Sequence, residues 1–178
     1  MPKPSDGGSH LTLVLGGARS GKSRYAESLI AAEPPPWIYV ATAEAGDDEM
    51  ANRIAAHRAR RDNRWQTVEA PNDLAAALAA VPARAPVLVD CLTLWLSNRL
   101  LAEADIDREI EALERTLAGH DGVMVLVSND VGSGIVPDNA LARRFRDLQG
   151  ALNQRIAAKA SRVVLMVAGL PLFVKGMP

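Results

Sequence analysis

Residues 16 to 23 read GGARSGKS and fit G-x-x-x-x-G-K-[ST] at every fixed position. The chemistry served by that spacing is phosphate binding. Gly16, Gly17 and Gly21 let backbone N–H groups turn inward around an anion with no Cβ in the way. A helix opening directly behind the loop aims the positive end of its dipole at the same point. Lys22 adds a point charge for the β- and γ-phosphates, and the Ser23 hydroxyl is an oxygen ligand for Mg²⁺. Ala18, Arg19 and Ser20 complete the cradle. An apolar strand before the motif and a helix after it set this stretch apart from an idle glycine-rich turn. The motif predicts nucleotide binding and leaves the nucleotide and the reaction open.

Asp90 ends the apolar run PVLVD, the place where a phosphate-loop protein carries the carboxylate that orients Mg²⁺ through water. Capping the next helix is the competing use of such an aspartate. A third position is less obvious. The stretch DDEMANRIAAHRARR, residues 47 to 61, is acidic in front and basic behind, and it holds one of only three histidines, His57. Written on a helix, Met50 and Ile54 face a core and His57 lies at the edge of that face, with Arg58, Arg60 and Arg61 just beyond. A solvated helix face accounts for this pattern. So does nucleophilic chemistry, since guanidinium groups hold phosphate oxygens and disfavour imidazolium. A neutral imidazole can then attack phosphorus and carry the transferred group. Composition does not choose between the two.

The elements that must position these residues follow from the apolar pattern. Runs at 11–17, 37–43, 65–70, 86–92, 123–130 and 162–169 are mostly continuous, as in strands covered on both faces. Helical stretches are predicted at 21–33, 47–61, 72–81, 92–103, 106–119 and 139–160. Such alternation predicts an α/β fold around a mainly parallel sheet. The ending LPLFVKG, 170–176, follows the last strand too closely for a parallel crossover, which predicts an antiparallel edge strand.

The totals exclude several classes. With 178 residues, 48% of them hydrophobic, the chain can bury a core of ordinary size. Twenty basic against 21 acidic side chains argue against a generic nucleic-acid or membrane-surface binder. Cys91 is the single cysteine, so neither an internal disulfide nor a thiolate zinc cage can form. No run is long enough to span a membrane. Residues 1–10 read as a mobile tail, including His10, and 11–178 as a single P-loop nucleotide-binding transferase domain in a cytoplasmic protein.

Four segments in order, GGARSGKS, ATAEAGDDEMANRIAAHRARR, DCLTLWLSN and VSNDVGSGIVPDNALARRFRDLQGALNQRIA, resemble the bifunctional adenosylcobinamide kinase / adenosylcobinamide-phosphate guanylyltransferase family of cobalamin biosynthesis. The likeness runs from residue 11 to about 175. It implies a three-layer P-loop NTPase fold of the RecA-like kind. By resemblance, ATP or GTP phosphorylates adenosylcobinamide, then GMP passes from GTP to that phosphate through a covalent histidine intermediate. His57 matches that histidine. The family's GTP-contacting stretches match Ala41, Thr42 and Ala43, then Arg58, Ala59, Arg60 and Arg61, and acidic positions match Glu69 and Asp90. A carboxylate accepting from guanine N1–H and the 2-amino group would favour GTP over ATP. The resemblance also implies a homotrimer. Asp130 and Asp138 stand where the family often has glutamate. The segment around them reads equally as a structural loop and as a substrate lid, with Asp138 or Asn139 capping the long helix. An ATP-only kinase with an idle His57, and a GTP-sensing regulator, remain the competing functions.

Overall fold

A computed structural model describes residues 10–44, 55, 58–59 and 61–177. In chain order the elements are β1 (Leu11–Gly16), α1 (Lys22–Ile30), β2 (Trp37–Ala41), β3 (Trp65–Glu69), α2 (Leu74–Ala79), β4 (Val87–Asp90), α3 (Leu92–Leu101), α4 (Ile106–Ala118), β5 (Met124–Asn129), α5 (Ala140–Lys159), β6 (Arg162–Val167) and β7 (Leu170–Lys175). All seven strands form one sheet in the order β3-β2-β4-β5-β1-β6-β7. Every pairing is parallel except β6 with β7.

Side-chain alternation divides the core between the two faces of the sheet. Leu13, Val40, Val89 and Leu126 pack on one face against Leu74, Trp95, Ile110 and Ile156 from α2 to α5. Their neighbours Val14, Tyr39, Leu88 and Val125 pack on the other against Ala26 and Ile30 of α1. The continuous apolar runs are thus strands buried on both sides. β3 differs, with mostly exposed residues, because it lies at the sheet edge.

Helix boundaries follow local chemistry. Asp105 caps α4, its carboxylate accepting from Arg108 N at 3.2 Å, and Ile106, Ile110, Leu113 and Leu117 form one buried stripe. Asn139, one of the two expected caps, closes the start of α5 by accepting from Ala142 N at 2.7 Å. At the other end of the chain, Ala168 and Gly169 both have positive φ, 51° and 82°. That pair makes the two-residue turn that reverses β6 into β7 as expected.

The expected helix 47–61 and the N-terminal tail 1–10 lie largely outside the described residues; of the former, Ala55, Arg58 and Ala59 are helical. His57 and Arg60 are outside them too. His120 is in a connecting segment, its ring Nε2 3.0 Å from the Ala85 carbonyl oxygen.

Candidate active site

Parallel strands carry the candidate residues to one edge of the sheet. Gly16 stands opposite Asn129, Ala41 opposite Asp90, and Ala41 opposite Glu69 on its other side. All are last residues of their strands, the edge where open α/β sheets bind ligands.

The loop from β1 into α1 is shaped around its glycines. A Cβ on Gly16 would lie 2.4 Å from Ser20 Oγ, and Gly21 has φ of 94° as the residue before α1. Arg19 also takes a left-handed conformation, with φ of 56°, at the exposed tip beside Gly17 and Ala18. The β6–β7 turn supports this loop from behind, Gly169 N donating to Ser20 O at 3.0 Å. A Cβ added to Gly21 would approach Gly169 Cα to 3.3 Å, so glycine also permits that close packing. Among the described residues Ser20 Oγ is buried with no partner.

Lys22 folds over the loop, its Nζ donating to Gly17 O at 2.9 Å. Burial pulls its pKa below the ordinary lysine value, opposed by the nearby Cys91 and Asp90. Cys91 is buried and its thiol is pushed up to about 11, first by burial and then by the Asp90 charge. Asp90 Oδ2 accepts from the Tyr39 hydroxyl at 3.2 Å. Burial, and then Asp90, hold the Tyr39 phenol protonated far above its usual range.

The donor set suits Mg²⁺ shared with a triphosphate: one hydroxyl, Ser23, and one carboxylate, Asp90, both hard oxygens. No group of three His, Cys, Asp or Glu able to hold a metal occurs among the described residues.

The second cluster stands beside the first. Arg58 pairs with Glu69, both exposed at the end of β3. Arg61 lies over the Tyr39 ring with Cζ 3.5 Å from its centroid, and Arg64 over Trp37 at 4.5 Å. Ala41 and Ala43 are half-buried beside this cluster, and Ala59 is exposed. Thr42 turns inward: its hydroxyl donates to Cys91 O at 2.7 Å and accepts from Cys91 N at 2.8 Å. Its side chain is used up inside the protein, joining β2 to the start of α3.

Sequence reasoning did not single out Tyr39, Asn98 or Thr93. Asn98 Nδ2 donates to Thr42 O at 2.9 Å and to Pro71 O at 3.0 Å, fixing the segments after β2 and β3. Thr93 Oγ1 accepts from Asn129 N at 2.8 Å. The one available signal was a tyrosine in an otherwise aliphatic stretch of strand, IYVA. Asp130 receives bonds from Gly132 N at 3.1 Å and Ser133 Oγ at 2.9 Å, so its carboxylate shapes the loop it begins.

A central strand running into a phosphate loop, with the acidic strand β4 separated from it by β5, defines a P-loop NTPase of the RecA-like type. The fold resembles that of an ATPase from the type III secretion system of pathogenic bacteria: TM-score 0.54, 10% identity, 87% of this chain and 50% of the other. The sequence is more particular. A family model described as cobinamide kinase / cobinamide phosphate guanyltransferase matches residues 12–174, and the chain belongs to that family. The bifunctional adenosylcobalamin biosynthesis protein CobP of Pseudomonas aeruginosa is 52% identical over 169 residues, 93% of this chain and 98% of its own. CobU of Salmonella typhimurium, named likewise, is 42% identical over 182 residues, 93% and 99%.

Proposed function

We propose that this chain phosphorylates adenosylcobinamide with ATP or GTP and then transfers GMP from GTP to the resulting phosphate. The single observation carrying this is the family match over residues 12–174, which takes in the phosphate loop, the His57 segment and both acidic positions.

In the first step the acceptor hydroxyl oxygen attacks the γ-phosphorus and gives up its proton to solvent, the bond to the β-phosphate oxygen breaks, and the nucleoside diphosphate leaves. Gly16 to Ser23 supply the cradle and Lys22 neutralises developing charge. Mg²⁺, held by Ser23 and through water by Asp90, would supply further charge neutralisation when bound. In the second step a His57 ring nitrogen attacks the α-phosphorus of GTP and pyrophosphate leaves. An oxygen of adenosylcobinamide phosphate then attacks the same phosphorus, the P–N bond breaks, and adenosylcobinamide-GDP departs with His57 restored. Arg58, Arg60 and Arg61 hold phosphate oxygens, and Glu69 or Asp90 accepts from the guanine edge. Thr42 serves by holding the loop that contains Ala41 and Ala43.

The working form is a cytoplasmic homotrimer. Ile135, Val136 and Leu141, together with Leu170, Leu172 and Val174 of β7, are large exposed apolar residues that a subunit contact would cover. No described helix is long and apolar enough to cross a membrane. The test is turnover of adenosylcobinamide with GTP: appearance of adenosylcobinamide-GDP and pyrophosphate is expected. Phosphorylation that stops at adenosylcobinamide phosphate would reduce the chain to a kinase.

A further inference from the structure

We propose that Tyr39 is a positioning residue serving both halves of the reaction, its hydroxyl orienting Asp90 and its ring fastening the chain that leaves His57; this rests on the two-step reading above. Tyr39 is 4% exposed, in the middle of β2, where an aliphatic side chain would pack as well. A phenol so placed requires a hydrogen-bond partner. The partner here is Asp90 Oδ2 at 3.2 Å, 51 residues away, on the adjacent strand β4. Donation to one oxygen fixes the carboxylate's rotation and leaves Oδ1 for a metal-bound water. Orienting contacts of this sort tune metal sites although they touch no metal.

The ring has a separate use. Arg61, four positions after His57, stacks 3.5 Å above its centroid, and Trp65 meets it edge-on at 6.2 Å and 80°. Arg64 repeats the stacking on Trp37, so two arginine–aromatic contacts pin the segment between His57 and β3 to strand β2. Arg61 Nη1 is buried and lacks a hydrogen-bond partner among the described residues, leaving one donor for an anion. The charged groups bearing on Tyr39 are Asp90 and Arg61. A tyrosine that merely filled the core would make neither contact selectively.

The two functions separate by substitution. Y39F keeps the ring and removes the O–H; Y39L removes both. The readouts are melting temperature, GTP affinity by calorimetry with and without Mg²⁺, and single-turnover formation of the GMP–protein adduct. Y39F is expected to cut the Mg²⁺-dependent gain in GTP affinity about tenfold. Its adduct formation at saturating Mg²⁺ should stay close to wild type. Y39L should also slow adduct formation about tenfold or more at saturating Mg²⁺. Where Y39L does not fold, Y39M removes the aromatic ring with a smaller change of volume and leaves Arg61 in place. Wild-type Mg²⁺ dependence in Y39F overturns the assignment to Asp90, and wild-type adduct formation in Y39L or Y39M overturns the assignment of the ring. Losses of both readouts in step with melting temperature reduce Tyr39 to packing. A wild-type protein that binds Mg²⁺–GTP but forms no adduct refutes the two-step reading itself, and the ring assignment with it.

Discussion

In the proposed function, Lys22 and His57 are the residues on which the two transfers divide. In that proposal one phosphate cradle serves both reactions, so Lys22→Ala is expected to damage kinase and guanylyl transfer alike. A loss of about 3 kcal/mol in transition-state stabilisation, about a hundredfold in rate, is the scale for one removed electrostatic contact. Steady-state assays of both steps check this; near-normal GTP turnover would contradict the role of the loop. Cys91 gives a prediction about stability. Burial, and then the Asp90 charge, push its thiol up to about 11 in the folded protein from an ordinary 9.0. The folded form therefore holds a proton that the unfolded form releases first, and stability is lost as pH rises from about 9 towards 11. Between pH 8 and pH 10 the advantage of wild type over Cys91→Ala should shrink by about 1 kcal/mol, measured by urea unfolding. An unchanged difference would show that the thiol is not held protonated. These residues differ in how plainly the sequence displayed them. The cradle is legible because its glycines, lysine and serine act within eight consecutive positions. Asp90 with Tyr39 is not, because that contact exists only once β2 lies beside β4.

At the level of elements, strand and helix types were readable because apolar periodicity is a local property. The parallel sheet and its antiparallel last strand followed from connection lengths. Strand order was not readable, since it is decided by which faces bury one another. Interelement fasteners were hidden for the same reason. Asn98 on α3 reaches back to the carbonyls of Thr42 and Pro71, and a helical asparagine gives no hint of such partners in advance. Asn98→Ala strands both carbonyls with no donor, at an expected cost of about 1–3 kcal/mol. Chemical denaturation measures that cost. Because the two carbonyls belong to the segments flanking the Arg58–Glu69 pair, GTP affinity should fall together with stability. A stable mutant with unchanged GTP binding would mean that these segments need no staple.

At the scale of the whole molecule, Tyr39 joins Asp90 on one side to Arg61 on the other, linking the two clusters to which the proposed function gives phosphate handling. A corrin is far larger than a nucleotide, and clefts between subunits are a common way of binding a ligand of that size. Sedimentation is therefore expected to give a trimer, and a fully active monomer would contradict the assembly. The proposed function turns on His57 carrying GMP. It is tested most directly by incubating wild type and His57→Ala with Mg²⁺ and GTP labelled in the α-phosphate. An acid-labile, base-stable label is expected on the His57 peptide of the wild type, chased by adenosylcobinamide phosphate. His57→Ala should take up no label and still phosphorylate adenosylcobinamide. Label on the mutant, or wild-type guanylyl transfer with no protein-bound label at any time, would contradict it.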